Sequence, residues 1–530
     1  MSEPLGLRIA EPRFWDPDDL RREADRVFDI CHSCRLCFKF CGSFPRLFEM
    51  IDQRSAENVQ EHLVANPHLV EEAARRRAVA EASGEKLSDH GHEVAEAFGD
   101  ELPELSATSA DLSQSQIDEV VDLCFQCKLC HPSCPYIPPH EWGVDFPRLL
   151  LRWKAQRRRD RQPDGFALRL LRDPVLIGRL TRLAPRLARF GQRFAPGRWV
   201  LQALLGVHRR KNLPAPALES FPDWWRRQRR AVTLAPMSAS TTAGVSVAAR
   251  EGPPGKVVLF STCTVDFNTP ITGRAAVAVL EHNGVEVVWL EGQVCCGMPR
   301  LDGGDVEGAA RAVAQNVALL HPWVKRGYAI VVPSPSCSLM LREEAPQLVE
   351  DDATRAVAAA TRDLCDYVFA LGRAGRIDKT FPKRIGRVAY HVPCHIREQQ
   401  IGLRGRDLLK WFSEGVDLVQ ECSGHDGTWS LQREHFEDSM AIGRRAAEAM
   451  AQASSAGCGA SCTDCPLAAL QMNQIAGVRP EHPIVMMARA YDLPIGERQG
   501  DLFPKGVGKS SLARFVSNGR PVSPGGPVHS

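Results

Sequence analysis

Hydrophobic positions in the C-terminal half of the chain follow two alternating patterns. Short runs rich in β-branched residues occupy 256–262, 285–292 and 328–335. Ala-rich amphipathic stretches lie between them, near 273–283 and 306–320, with the periodicity of helices. Strands that alternate with such helices are typical of βαβ units around a parallel sheet. We therefore predict an α/β fold for this half of the chain.

The same pattern then occurs a second time. The run 387–394 resembles 257–263, and the run 417–424 resembles 287–297. A further Ala-rich stretch follows near 440–453, as the first copy would predict. The repeated unit, of roughly 120–130 residues, is larger than the unit of a solenoid. The two predicted copies span residues 256–380 and 385–500.

The rest of the chain has a different pattern. Residues 52–115 are polar and rich in Ala, Glu and Arg, which favours helix. Residues 151–230 hold 21 Lys and Arg against 5 Asp and Glu, a local excess of 16, and prolines interrupt them. They predict a basic helical connector. Residues 231–255 have the composition of a linker, and residues 501–530 that of a disordered tail.

Cysteine usage adds chemistry to this outline. The chain has 18 cysteines, most of them in tight clusters. Its first residues lack the basic start and apolar core of a secretory signal, and no apolar run is long enough for a membrane-spanning helix. We therefore expect a cytoplasmic protein whose clustered thiols bind metal instead of forming disulfides.

Two cysteine runs in residues 1–150 have the C-x2-C-x2-C-x3-C spacing of bacterial ferredoxins. Three cysteines of such a run hold one 4Fe–4S cluster, and the fourth binds the other cluster. One predicted ligand set is Cys31, Cys34, Cys37 and Cys134, and the other is Cys124, Cys127, Cys130 and Cys41. Zinc or disulfides are the alternatives, although zinc sites rarely use a doubled run of this kind.

Residues 1–150 resemble the α-helical two-cluster ferredoxin domains of respiratory iron–sulfur subunits. The long helical insert between the runs separates them from small β-rich ferredoxins. Pro135 follows the fourth cysteine of the second run, as is usual, whereas Gly42 stands at that position in the first.

The two repeats carry cysteines in a common order. Repeat 1 contains Cys263, Cys295, Cys296 and Cys337, and repeat 2 contains Cys394, Cys422, Cys462 and Cys465. The phrases 295–299, 335–340 and 464–467 resemble those of the CCG cysteine-rich domain. The region 20–490 is similar to the iron–sulfur subunits of anaerobic glycerol-3-phosphate dehydrogenase and of heterodisulfide reductase. The fold class we predict is therefore multidomain, with a helical two-cluster ferredoxin domain followed by a duplicated α/β cysteine-rich domain.

Each repeat departs from the five-cysteine pattern of that family. We expect Met340 at the last cysteine position of repeat 1, and Ser423 replaces the second cysteine of the pair in repeat 2. Four thiols per repeat can hold a cubane cluster or a zinc ion. We expect two 4Fe–4S clusters in residues 1–150 and a third cluster, zinc or both in the repeats. A metal-free structural role for both repeats is the alternative.

Several other residues have two interpretations. Cys365 and Cys458 lie outside both sets and are expected to be buried free thiols. His391, His395 and His425 lie near the second set and either pack there or deliver protons to a substrate. A leucine and phenylalanine stripe with arginines beside it suits an anionic lipid surface, an acidic partner or packing within the connector. The stripe consists of Leu176, Leu180, Leu183, Leu187 and Phe190, with Arg179, Arg182, Arg186, Arg189 and Arg193.

These features predict an oxidoreductase component that transfers single electrons. No Gly-x-Gly-x-x-Gly follows a predicted strand, so we expect no flavin or nicotinamide site, and no nucleic-acid-binding module is recognisable. The resemblance implies a flavin dehydrogenase or other redox protein as partner and an acceptor such as quinone, with attachment to the inner face of the cell membrane. The alternative is a terminal reductase of a small disulfide or quinone at a cluster in repeat 2.

Overall fold

The computed structural model describes residues 6–69, 71, 75, 106–161, 165–233 and 252–496. The predicted tail, most of the predicted linker and much of the polar stretch after Asp52 lie outside the described residues. Two compact units are present. The first contains described residues of 12–124 and 133–153, and the second contains those of 5–11 and 125–132 and from 154 onward.

The first unit is helical in its described part. Its helices are α1 (Pro17–Cys34), α2 (Ser43–Ala65), α3 (Gln114–Leu123) and the start of α4 (Phe146–Arg161). Asp16 caps α1, because its side chain accepts hydrogen bonds from the first free N–H groups of the helix. Phe44 and Phe146 stack in the core with ring centroids 4.4 Å apart. Phe28 of α1 also packs on Phe146, with ring centroids 5.8 Å apart, so α1, in which the first cysteine run begins, shares this core with α2.

Five short helices form the connector at the start of the second unit. They are α5 (Phe166–Leu171), α6 (Pro174–Leu183), α7 (Pro185–Arg193), α8 (Ala195–Leu205) and α9 (Phe221–Thr233). Proline stands in the first turn of α6, α7 and α8, where its missing N–H costs nothing. The predicted apolar stripe is therefore divided between α6 and α7.

The connector packs on both repeats. Gly178 of α6 lies against Phe267, so closely that a Cβ would stand 2.2 Å from the ring. Farther along, the buried Lys211 ammonium donates hydrogen bonds to Gln471 (2.6 Å) and Ser439 (3.3 Å). Burial lowers the pKa of Lys211 from 10.5 to about 7.

Repeat 1 contains a four-stranded parallel sheet in the order β2-β1-β3-β4, as the alternating pattern predicts. The strands are β1 (Lys256–Leu259), β2 (Glu286–Trp289), β3 (Ala329–Val332) and β4 (Thr361–Asp363). The helices are α10 (Thr262–Phe267), α11 (Pro270–His282), α12 (Met298–Asp302), α13 (Val306–Lys325), α14 (Pro335–Leu339), α15 (Ala345–Leu348), α16 (Asp352–Ala360) and α17 (Leu364–Arg373).

Repeat 2 contains a three-stranded parallel sheet in the order β6-β5-β7. The strands are β5 (Ile385–His391), β6 (Ser413–Val419) and β7 (Ala460–Thr463), and the helices are α18 (Cys394–Glu398), α19 (Arg404–Phe412), α20 (Phe436–Ser455), α21 (Pro466–Ala476) and α22 (Pro483–Ala490). One apolar core joins the repeats, because side chains of both sheets and of α11, α17, α19 and α22 pack together in it. Among the described residues no helix has the length and apolar character needed to cross a membrane.

Candidate functional site

The cysteines of both repeats converge on one cavity of about 80 Å³ in the second unit. The thiol-bearing residues that line it are Cys263, Cys295, Cys296, Cys337, Cys394, Cys422 and Cys465. Each follows the carboxyl end of a strand, and in open α/β sheets ligand crevices lie at that edge. Seven of the eight predicted ligands of the repeats therefore face the same space.

Repeat 1 supplies four of these thiols from three loops. Cys263 lies near the start of α10, just after β1, and Cys337 lies in α14, just after β3. Cys295 and Cys296 precede Gly297, whose φ of +105° turns the chain sharply into α12.

The loop that carries Cys295 is held by a residue that our sequence reasoning missed. Asn316 of α13 is fully buried, and its side chain accepts from the Val294 N–H at 3.1 Å and donates to the Cys295 carbonyl at 3.2 Å. A lone asparagine within an Ala-rich helix face was the available signal.

The four thiols of repeat 1 interact in series, Cys263 with Cys295, Cys295 with Cys296, and Cys296 with Cys337. Cys263 and Cys296 both donate to Cys295, which lowers the pKa of Cys295 well below the usual range. The same contacts, together with burial, raise the pKa of Cys263 and Cys296. Cys337 completes the set through its contact with Cys296. Four converging, buried, soft sulfur donors are the ligand set of a cubane iron–sulfur cluster or of a structural zinc ion.

The strand registers show which positions of the two repeats are equivalent. Val257 of β1 pairs with Ala329, and Val388 of β5 pairs with Ala460. Counting six residues from Val257 and Val388 reaches Cys263 and Cys394. The chain after β3 and β7 gives the same alignment. In both repeats one residue follows the strand, the next residue caps a helix, and a proline begins that helix. Those capping residues are Ser334 and Cys465.

This register changes two of the predicted positions. Ser334, not Met340, is the counterpart of a repeat 2 cysteine, and Ala468 is the counterpart of Cys337. Met340 instead packs beneath the turn, with its terminal carbon 3.2 Å from where a Cβ on Gly297 would stand. The sequence alignment that placed Met340 at the last cysteine position was wrong, because it matched the Cys-x-x-Cys spacing instead of the ends of the strands.

Cys462 is the predicted ligand that is not among the residues lining the cavity. It lies within β7, fully buried, and its register counterpart in repeat 1 is the core residue Val331. Burial raises its pKa, as does the negative charge of Asp464. The described part of repeat 2 thus contributes three thiols to the cavity, Cys394, Cys422 and Cys465.

Polar side chains share the cavity with the thiols. His391, His395 and His425 line it, as do Asp302 and Asp426, which we had not predicted. Burial lowers the pKa of His391 and of His395 to about 4, helped at His395 by the positive charge of Lys128. Both acids follow a Cys-x-Gly turn by a few residues, one in each repeat, and that shared position was the signal available in the sequence.

Two of these polar groups lack a hydrogen-bond partner within the described part of the chain. Both ring nitrogens of His425 and both carboxyl oxygens of Asp302 are buried and unbonded. Burial raises the pKa of Asp302 well above its usual range, and the neighbouring Asp426 adds to the rise. Burial also raises the pKa of Asp426 to about 7. Buried polar atoms are nearly always bonded in native proteins, so these groups suit a polar ligand in the cavity.

In the first unit, Cys134 from the second cysteine run lies close to three cysteines of the first run, Cys31, Cys34 and Cys37. Burial raises the pKa of Cys31, and the neighbouring Cys37, Cys134 and Cys34 raise it further by their negative charge. Burial, followed by Cys134 and Cys34, raises the pKa of Cys37 to about 12.

The remaining cysteines of the runs are distributed over both units. Cys41 and Cys124 are neighbours in the first unit, and the pKa of Cys41 is raised to about 12 by burial and then by Cys124. Cys127 and Cys130 belong to the second unit.

Cys365 and Cys458 are buried thiols away from the cavity. The Cys365 thiol donates to Asp464 at 3.0 Å, and the Cys458 thiol donates to Asp417 at 3.2 Å. Each therefore has a structural partner in the fold.

Comparison with known proteins connects this geometry to a family. The CCG cysteine-rich domain matches the chain twice, at residues 257–342 and 388–469. The chain is 26% identical over 423 residues to the C subunit of anaerobic glycerol-3-phosphate dehydrogenase of Escherichia coli K12, a match that spans 70% of this chain and 99% of the relative.

A second group of relatives covers a shorter part of the chain at higher identity. Lactate utilization protein A of Geobacillus thermodenitrificans is 31% identical over 200 residues, which is 35% of this chain and 78% of the relative. The protein of the same name from Bacillus velezensis is 31% identical over 196 residues, 35% of this chain and 79% of the relative.

Proposed function

We infer the function from one premise: this chain belongs to the family of CCG cysteine-rich proteins that includes lactate utilization protein A. It is an oxidoreductase component with a role in electron transfer. We propose that it transfers electrons through iron–sulfur clusters between a flavin dehydrogenase or other redox partner and an acceptor such as quinone.

The observation that carries this proposal is the thiol cavity of the second unit. The four contacting thiols Cys263, Cys295, Cys296 and Cys337 would hold a cubane cluster, or alternatively zinc. A cluster bound there would supply reversible one-electron chemistry. The surrounding chain contributes burial, which excludes water, and Asn316, which fixes the loop of Cys295.

The cysteine runs would hold two further clusters. Proximity of Cys134 to Cys31, Cys34 and Cys37 supports the crossed ligand set predicted from the spacing. The set of Cys41, Cys124, Cys127 and Cys130 is proposed from the ferredoxin spacing. We propose that residues 1–150 act as a ferredoxin-type module that exchanges electrons with the cavity.

The chemistry of thiol-bound clusters explains the need for a partner. Clusters carry single electrons, whereas oxidation of an organic substrate releases two together, which a flavin can accept. One relative is named as the C subunit of a dehydrogenase, so other subunits of that protein exist. Anaerobic purification of this chain with its partner, followed by identification of a bound flavin, tests the assignment.

The iron content of a cysteine variant tests whether the cavity thiols bind an iron–sulfur cluster. Cys337→Ser in anaerobically reconstituted protein should lower iron by about four atoms per chain. Cys458→Ser is the matched control, because Cys458 is equally buried but lies elsewhere. We expect it to retain full iron. Equal iron in wild type and Cys337→Ser would refute a cluster at these thiols, and zinc in place of iron would identify the alternative.

A terminal reductase is the second candidate, and repeat 2 favours it. Its three cavity thiols would leave a bound metal with an open coordination position, which is typical of catalytic sites. The unbonded atoms of His425 and Asp302 beside them suit a small substrate that takes up protons as it is reduced.

Substrate reduction by the variants Asp302→Asn and His425→Gln tests this second candidate. Both should lose reduction of a soluble quinone or small disulfide while their clusters still accept electrons from a dye. Unchanged turnover in both variants would leave the electron-transfer component as the function.

The connector is the surface proposed to dock on an anionic membrane on the cytoplasmic side. Its exposed apolar side chains are Leu176, Leu180, Leu183, Leu187, Phe190, Phe194, Trp199, Val200 and Leu204, with exposed fractions of 44–83%. Arg182 instead pairs with Asp223 at 3.1 Å and Arg189 donates to the Pro216 carbonyl, so these two arginines of the predicted stripe bind protein groups.

Sedimentation with vesicles tests the membrane proposal. Binding to anionic vesicles should exceed binding to neutral ones and should weaken with salt, because each basic residue near anionic lipid contributes about 1 kcal/mol. The double variant Leu183→Ser, Leu187→Ser should bind more weakly. Equal binding of both proteins to both vesicle types would contradict docking.

A further inference from the structure

The segment 125–132 carries Cys127 and Cys130 and lies on the two repeats within the second unit. Lys128 and Glu344 form a fully buried ion pair at 2.9 Å, which joins the segment to repeat 1. His131 lies 3.1 Å from Glu398 of repeat 2, and Phe125 packs on Trp429. Leu129 reaches the wall of the thiol cavity. Cys127 and Cys130 are thus held on an element fixed beside the cavity.

The backbone of this segment is held in an unusual conformation. Gln126 and Lys128, on either side of Cys127, both have φ of +59°, in the left-handed region. Such conformations are unfavourable for residues other than glycine and persist where the surroundings enforce them. The buried ion pair of Lys128 is one enforcing contact. The other is made by the carbonyl of Gln126.

That carbonyl accepts a hydrogen bond from His395, which is buried in α18. His395 Nε2 lies 3.2 Å from the Gln126 oxygen, and Nδ1 lies 2.9 Å from the Ser336 hydroxyl. Because a carbonyl can only accept, Nε2 carries the proton and the serine donates to Nδ1. The ring of His395, a residue of repeat 2, therefore connects segment 125–132 to repeat 1 through two hydrogen bonds.

Each residue in this chain of bonds is adjacent in sequence to a candidate ligand. Gln126 precedes Cys127, Ser336 precedes Cys337, and His395 follows Cys394. Electron tunnelling falls off more steeply across van der Waals gaps than along covalent and hydrogen bonds. We propose that His395 is a positioning residue that provides the bonded path for electrons between the second cysteine run and the thiol cavity.

This inference rests on the proposed function, because both ends of the path are proposed cluster ligands. The step is the transfer of one electron from the group held at Cys127 to a group held at Cys337, reached through Ser336, or at Cys394, the residue before His395. No bond forms or breaks, and no proton needs to move.

Two amide variants of His395 separate this role from a general structural one. His395→Gln places an N–H near the position of Nε2 and should keep the bond to Gln126. His395→Asn places its amide near the position of Nδ1 and should keep only the bond to Ser336. Both remove the ring, so a defect in packing would affect them alike. His482→Asn is the control, since His482 is also buried but caps α22 away from the cavity, where its Nδ1 accepts from the Ile484 N–H.

The experiment uses the full-length chain with its clusters reconstituted anaerobically. Oxidised protein is mixed rapidly with limiting dithionite, and freeze-quench EPR follows how fast the cavity group is reduced by the other clusters. The rate is taken relative to the final cavity signal. We expect His395→Asn to slow this step by about tenfold or more, His395→Gln to slow it much less, and His482→Asn to match wild type.

Each outcome has a defined meaning. Equal rates in wild type and His395→Asn, or equal slowing by Asn and Gln, would overturn the path through His395. Loss of the cavity signal in both variants would also overturn it, since His395 would then serve to hold the site together. Wild-type protein with no iron at the cavity thiols would refute the proposed function itself.

Discussion

The two cysteine-rich repeats share one strand register but differ in their thiols. Repeat 1 presents four cysteines that interact in series to the cavity, and repeat 2 presents three. Ser423 and Ala468 of repeat 2 stand where repeat 1 has Cys296 and Cys337. A duplicated βαβ scaffold thus keeps its loops at the same sheet edge while the ligands on those loops change independently.

The loops after the second strand of each repeat differ in length, although the strands before them occupy equivalent positions. Cys295 stands eight residues after Val287, whereas Cys422 stands six residues after its counterpart Val416. Both loops nevertheless end at a left-handed glycine. The left-handed glycine is thus present in both repeats although the loops that lead to it differ in length.

Restoring the missing thiols of repeat 2 should have the largest effect. The double variant Ser423→Cys, Ala468→Cys gives repeat 2 the four thiol positions of repeat 1 beside its own Cys465, and should raise bound iron by about four atoms per chain. Iron assay and EPR of anaerobically reconstituted protein measure the gain. Ser454→Cys, at an outer helix position, is the control. Iron that stays at the wild-type level in the double variant would show that the register does not predict the ligand sites.

The two glycines of the turns should differ in their tolerance of a side chain. A Cβ on Gly424 would stand 2.3 Å from the Ser439 carbonyl oxygen and 2.6 Å from the Gly443 nitrogen, both in the backbone of α20. A Cβ on Gly297 meets its nearest atoms only at 3.2 Å. Gly424→Ala should therefore destabilise by about 3–5 kcal/mol and Gly297→Ala by about 1–3 kcal/mol, the latter mainly through backbone strain.

Urea unfolding of the metal-free protein measures this difference. Gly459→Ala is the control, because its Cβ would meet nothing within 4 Å. We expect it to change the unfolding midpoint little. If Gly297→Ala were the more damaging of the two turn variants, the closer packing assigned to repeat 2 would be wrong.

Lys211 should make the free energy of unfolding depend on pH, because this connector residue is buried against repeat 2. Its pKa in the folded protein is about 7, against about 10.4 in an unfolded chain. Between these values the unfolded chain binds more protons, so the free energy of unfolding should rise with pH by about 1.4 kcal/mol per unit. Below pH 7 this contribution to the slope disappears.

Lys211→Met should remove that part of the pH dependence. The measurement is the difference in unfolding free energy between wild type and variant at several pH values from 7 to 10. Other titrating groups cancel in the difference. A constant difference across this window would mean that Lys211 is charged in the folded protein.

The sequence predicted the parallel sheets and the duplication, because periodic apolar runs reflect which faces are buried. The thiols of repeat 1 were found because their order is distinctive. Asp302, Asn316 and the bonds of His395 were not found, since they depend on contacts between residues far apart in the chain. The Cys-x-x-Cys spacing predicted Cys462 as a ligand, because spacing alone does not reveal that this residue lies inside a strand.

Cys462 also gives the smallest predicted effect. In the register it stands where repeat 1 has Val331, and both side chains are fully buried in strands. Cys462→Val should therefore change the free energy of unfolding by less than about 1.5 kcal/mol, as size-conserving core substitutions do. It should retain full iron, whereas Cys465→Val, at a residue that lines the cavity, should lose iron from repeat 2 if the three thiols there bind it. Loss of iron by Cys462→Val would return this residue to the ligand set and would mean that β7 shifts when the metal binds.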